Sequence, residues 1–239
     1  MIKTRSVLRV ALVAAFVAFS ALVASGATFA ADDAASRYFK SIHGNSALDA
    51  AMIAITTMGD VTVLFPFGII ITIIRRTRKV GMIFLIALVV LVVLGMYIKP
   101  AIGRAIPPYG FDPALDLPEH FVLESDSFSP ISASCLSLSG EPTSCSYPSG
   151  HTSRATALAF IAGFALYNKS RVAGYILWTF PVTIGITRMY VMQHYPTDIV
   201  GGILFGVIIS VILSNAMKLE QPFFMSRFKG KDDGPQALR

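Results

Sequence analysis

Apolar runs long enough to cross a lipid bilayer constrain this chain more than any other feature. A bilayer core is ~30 Å thick and takes about 20 mostly apolar helical residues to span. Six runs meet or approach that length: 10–30, 47–74, 80–98, 152–168, 172–190 and 198–217. The third, VGMIFLIALVVLVVLGMYI, and the sixth, DIVGGILFGVIISVILSNAM, are the clearest. The second is interrupted by Gly59, Asp60 and Pro66, and the fourth begins with polar residues. Such breaks are tolerated in a bundle, where neighbouring helices satisfy the freed backbone groups. Only 14% of the residues are charged and 54% are hydrophobic, against about 25% charged in a soluble domain. Soluble and disordered classes are excluded. The expected fold is all-α, an integral membrane bundle of six transmembrane helices.

Lysine and arginine placement orients the bundle. With the N-terminus in the cytoplasm, the cytoplasmic segments are 1–9, 75–79, 168–171 and 218–239, and they hold most of the 20 basic residues. The net charge of +6 is therefore a topology signal. No basic stripe interleaved with aromatics points to nucleic acid. The chain divides into a first transmembrane helix at 1–31, a core at 32–217 with an extracytoplasmic loop at 100–147, and a basic cytoplasmic tail at 218–239. Residues 1–31 also read as a cleavable signal peptide; their apolar length favours a retained helix. Residues 31–46, polar with Tyr38 and Phe39, suit the membrane surface. Cys135 and Cys145 both lie in the outer loop, where oxidising conditions favour a disulfide. Two cysteines are too few for a disulfide framework or a Cys-rich zinc site.

This topology puts all four histidines, His43, His120, His151 and His194, on the outer side. Three clusters reach the same face. Lys99 and Arg104 follow the third span, Pro148-Ser149-Gly150-His151 opens the fourth, and Thr187-Arg188, His194 and Asp198 bridge the last two. Lys and Arg attract and orient phosphate. Free N–H groups at a helix start, here Ser149 and Gly150, make an anion site. His194 and Asp198 are four apart, and a helix beginning near Pro196 lets the carboxylate reach back to the imidazole. A carboxylate on one ring nitrogen leaves the other as a nucleophile. His151 is then placed to protonate a leaving oxygen. Cationic side chains and backbone N–H groups can stabilise the developing charge without a metal.

These three clusters resemble the signature of the type 2 phosphatidic acid phosphatase superfamily, which also contains the vanadium haloperoxidases. Its pattern is K-x6-R-P, P-S-G-H and S-R-x5-H-x3-D. The second motif stands intact at 148–151, and the third is intact except that Thr187 replaces Ser. In the first, Lys99 and Pro107 are correctly spaced, while Ile106 stands where the family has Arg. Arg104, two residues earlier, is the substitute cation. The resemblance implies that His194 is the nucleophile and forms a phosphohistidine, that Asp198 orients it, and that His151 protonates the leaving group and later activates water. It further implies that Lys99, Ser149, Gly150 and Arg188 bind phosphate oxygens, with Arg104 added from position alone.

The expected activity is hydrolysis of a lipid phosphate or diphosphate at the external face of an inner or plasma membrane, with a membrane lipid as partner and no cofactor. Polyprenyl diphosphate, phosphatidate, phosphatidylglycerol phosphate and lipid A all fit; family habit slightly favours the first. Three other readings remain: a weak lipid-binding relative, motivated by Ile106; a headgroup transferase; and a haloperoxidase, disfavoured because that architecture is larger and soluble. The remaining polar residues have plainer readings. His43 and His120 are expected to be solvated, and Tyr190 and Tyr195 to sit in the interfacial aromatic belt. Arg154 either supports the site or snorkels to the interface. Asp60, an acid within a span, either sits at the outer edge and pairs with Lys99 or meets a helix N-terminus; it has no assigned role.

Overall fold

The computed structural model describes residues 6–115, 134–136, 140, 142–167 and 170–219. His120, much of the outer loop and the tail beyond Leu219 lie outside the described residues. The described elements are α1 (Ser6–Ala24), α2 (Phe29–Ser41), α3 (Ser46–Thr57), α4 (Val61–Ile73), α5 (Arg78–Ile102), a short hairpin β1 (Ser134–Leu136) and β2 (Pro142–Ser144), α6 (Gly150–Tyr167), α7 (Arg171–Leu177), α8 (Thr179–Tyr190) and α9 (Pro196–Ala216).

Three of the described helices, α1, α5 and α9, are long and apolar enough to cross a membrane. The pair α3 and α4, bent by 50° at their junction, makes a fourth candidate if taken as one span. The other two expected crossings correspond to α6 and to α7 with α8. The first turns of α6 carry His151, Thr152, Ser153 and Arg154, and the chain breaks between α7 and α8 at Trp178, so neither has an uninterrupted apolar length. The first apolar run is also shorter than expected. It ends at Ala24, and the polar stretch after it is itself the helix α2, folded back onto α8 and α9.

Helix α6 lies at the centre, packed against α5, α7, α8 and α9. Ile83, Phe84, Leu88 and Leu91 of α5 meet Leu158 and Ile161 of α6 and Phe205 and Ile209 of α9 in one apolar core. The outward side chains are apolar too, such as Val10 and Val17 of α1, Ile70 of α4 and Val89 of α5, as suits a lipid-facing surface. The approach of α9 to α6 depends on glycine. A Cβ on Gly202 would lie 2.7 Å from the Ser149 carbonyl oxygen, and one on Gly206 would lie 2.5 Å from that of Ser153. This close packing sets the N-terminal turn of α9 beside the start of α6, and the amide of Ser149 donates to the carbonyl of Asp198 at 3.1 Å. A cluster of buried polar residues lies at this end of the bundle: Ser149, His151, Thr152, Arg188, His194 and Asp198.

Candidate active site

The segment between α8 and α9 delivers His194. Met192 takes a positive φ of 57°, a conformation that few residues other than glycine adopt. The amide of Gln193 donates to the Arg188 carbonyl at 3.2 Å, and the tight turn aims His194 into the bundle. Pro196 then opens α9, where its missing N–H costs nothing. Asp198 reaches back over this first turn. Its Oδ2 accepts from the Tyr195 amide at 2.8 Å and lies 3.5 Å from Nδ1 of His194. Its Oδ1 accepts from Arg104 at 2.9 Å. The side chains of Arg188, His194 and Asp198 are all buried. Thr187, in the place of the family's serine, donates its hydroxyl to the carbonyl of Ile184 at 2.8 Å.

The opening of α6 supplies the second histidine. The Ser149 hydroxyl is hydrogen-bonded to that of Thr152 at 3.0 Å. His151 is buried with a partner at each ring nitrogen. Asp60 Oδ2 lies 3.3 Å from Nε2, and Nη2 of Arg154 lies 3.2 Å from Nδ1. Arg154 also donates from Nε to the Gly59 carbonyl at 3.3 Å. Of its two readings, support of the site describes its position, since it is buried against a site residue. Asp60 meets the N-terminus of α4, its Oδ1 accepting from the amide and hydroxyl of Thr62 at 2.8 and 2.7 Å.

The first cluster meets the third through Arg104. Helix α5 ends at Gly103 in a left-handed conformation, and the Gly103 amide bonds to the carbonyl of Lys99 in the last turn. Arg104 then turns inward. It donates to Asp198, to the Thr197 hydroxyl at 2.6 Å and to Asp32 of α2 at 2.6 Å, and it stacks 4.1 Å above the ring of Tyr195. Asp32 in turn accepts from the amide and hydroxyl of Thr197. Burial pushes the Tyr195 phenol up to about 12, so it stays neutral. The hairpin holds this segment from outside. Ser146 donates its amide to the Arg104 carbonyl at 2.7 Å, and Ile106 donates to that of Ser144 at 3.2 Å. A disulfide joins Cys135 to Cys145.

The fold therefore brings His151, Ser149, Arg188, His194, Asp198 and Arg104 to one end of the bundle, with Lys99 and Gly150 at the adjoining helix ends. Two participants escaped the sequence reading. Asp32 gives no signal in the sequence, lying in a polar stretch that suits the membrane surface. Asp60 gives one, as an acid within a span, but its partner is distant in sequence. His43 is not solvated: it is half-buried against Tyr190 and Phe111, and its Nε2 donates to the Tyr190 carbonyl at 2.7 Å. Tyr190 and Tyr195 are buried, not in an interfacial belt. Tyr190 can be buried because its hydroxyl bonds to the carboxylate of Asp49.

Lipid A 1-phosphatase of Rhizobium johnstonii is 35% identical over 118 residues, 48% of this chain. The chain spans only 38% of that protein's length. Undecaprenyl-diphosphatase of Sulfolobus acidocaldarius is 27% identical over 73% of this chain and 74% of its own. The fold matches the crystal structure of a transmembrane PAP2 type phosphatidylglycerolphosphate phosphatase from Bacillus subtilis. That match has a TM-score of 0.68, 23% identity, and coverage of 90% of this chain and 98% of that one. With its apolar helices, this likeness makes the chain a multi-pass membrane protein. A family model for the PAP2 superfamily matches residues 78–222, which hold all three clusters, and the chain belongs to that superfamily.

Proposed function

We propose that this protein hydrolyses a lipid phosphate or diphosphate through a phosphohistidine, without a metal. The observation that carries the reading is the burial of His194, His151, Asp198 and Arg188 together at one bundle end. His194 attacks phosphorus with the nitrogen that does not face Asp198. As the N–P bond forms, the P–O bond to the lipid breaks and His151 protonates the departing oxygen. Water, deprotonated by His151, then releases phosphate and returns the electron pair to His194. Lys99, Arg188, Ser149 and the Gly150 amide hold the phosphoryl oxygens. Arg104 contributes charge from behind Asp198. Membership of the family, and relatives that act on lipid A and undecaprenyl diphosphate, support this chemistry.

The lipid class follows from position. A site at the end of a bundle, among helices whose outer faces are apolar, meets an amphiphile whose phosphate lies at headgroup depth. In this reading α6 and the α7–α8 pair complete six crossings, both termini are cytoplasmic and the site faces outward. Polyprenyl diphosphate, phosphatidate, phosphatidylglycerol phosphate and lipid A remain the candidate substrates. The test is phosphate release by purified wild type and His194→Ala in detergent with EDTA, across that panel. Release that survives EDTA and is lost in His194→Ala is expected. Loss of release with EDTA, or its persistence in the variant, would overturn the metal-free histidine mechanism. Silence of folded wild type across the panel would favour a lipid-binding relative and direct attention to Ile106.

A further inference from the structure

We propose that Asp60, at the break between α3 and α4, is a positioning residue for His151 and makes the proton-donating histidine a second carboxylate–imidazole pair. This rests on the phosphatase reading above.

The hydrogen-bond chemistry sets the tautomer. Arginine can only donate, so the 3.2 Å contact between Arg154 and Nδ1 of His151 requires a lone pair on Nδ1. The ring proton is then on Nε2, facing Asp60 Oδ2 at 3.3 Å. Asp60 is held for this task. Its other oxygen is fixed by the Thr62 amide and hydroxyl. The junction itself is seated on the site: a Cβ on Gly59 would lie 3.3 Å from Cδ2 of His151 and 2.8 Å from Cγ2 of Ile184. Capping alone does not account for an acid here. Ser, Thr or Asn caps a helix as well, and a carboxylate within a membrane span is costly.

The charged groups facing His151 are Asp60 from the α3–α4 junction, Arg154 from its own helix, and Arg188 from α8. The two arginines oppose a positive imidazole, and Asp60 offsets them. With Nε2 held by Asp60, Nδ1, which carries the lone pair beside Arg154, is the nitrogen left for proton transfer. His151 takes a proton from solvent at Nδ1 and gives it to the leaving oxygen as the P–O bond breaks. The electron pair of that bond stays on the oxygen, and Asp60 keeps its negative charge throughout.

Asp60→Asn tests this, because Asn preserves the cap and the size while removing the charge; Asp60→Ser is the second variant. The readout is kcat/KM, which reports events up to departure of the leaving group. It is measured with a short-chain alkyl phosphate lipid and with p-nitrophenyl phosphate, whose leaving group needs no proton. The alkyl substrate should lose ~10–100-fold, part of the ~10²–10⁴ that a general acid contributes, while the aryl substrate loses less than about threefold. An equal loss on both substrates in the folded variants, or no loss, would overturn the assignment. His194→Ala run in parallel separates the two claims. Full activity in that variant defeats the phosphatase mechanism itself, whereas its expected inactivity beside a uniform Asp60→Asn effect defeats only the role of Asp60.

Discussion

At the scale of single residues, Arg104 shows how one guanidinium can tie separate segments of the chain together. It is nearly buried, with side-chain exposure of 11%, between Asp32 at 2% and Asp198 at 0%. Removing one member of such a group leaves an uncompensated buried charge, worth ~3–5 kcal/mol. Arg104→Ala should therefore lower the unfolding temperature in detergent as well as activity. Arg104→Lys is the more informative change, because an ammonium keeps the charge but not the fork that reaches two carboxylates. If Arg104 holds Asp198, the lysine variant loses kcat while its inhibition by inorganic phosphate is unchanged. Weakened phosphate inhibition would place Arg104 on the substrate instead. The complementary variant, Ile106→Arg, restores the cation of the family motif. It is expected to lower the KM for the lipid phosphate, and an unchanged KM would show that the site lacks no charge there. These residues also show what a sequence can carry. The gathering of His151, His194, Arg188 and Asp198 at one end of the bundle is legible because it follows from short-range spacing on helix ends. The Asp32–Arg104 and Asp60–His151 pairs span α2 to α5 and α3 to α6, and no local pattern encodes them.

At the scale of elements, the packing of α6 on α9 is the contact that assembles the site, and it is built on missing side chains. Gly206→Ala would place a methyl group 2.5 Å from the Ser153 carbonyl oxygen and 2.7 Å from Cβ of Thr156. Neither atom belongs to a flexible chain end, so the helices must part. Overpacking of this kind costs ~1–3 kcal/mol, and thermal unfolding in detergent should register it. Gly95→Ala, on α5 with nothing within 4 Å of the new methyl, is the control and should be neutral or slightly stabilising. Apolar length made α1, α5 and α9 readable from sequence. It read less well where function intrudes. Helix α6 gives its first turns to the polar side chains of His151, Thr152, Ser153 and Arg154, and the acids of α2 give no sign in the sequence of facing inward.

For the whole molecule, the disulfide hairpin and the buried site occupy the same end of the bundle, and the basic turn of Arg75, Arg76 and Arg78 stands at the opposite end of α5. With the site facing outward, single cysteines placed at Tyr38 and Arg76 should divide: a membrane-impermeant thiol reagent applied to intact cells labels the first and spares the second. Labelling reversed between them would invert the topology. The break at Gly59 and Asp60 carries a consequence for chain register. An α-helix advances about 100° per residue, so inserting one alanine within α3 would leave the apolar profile of the second span almost untouched. It would nonetheless swing the junction about the helix axis and carry the carboxylate off His151. Two sequences indistinguishable by hydropathy would then differ in whether the junction can dock. In this family of segments, the number of residues between an entry point and a break matters as much as their greasiness.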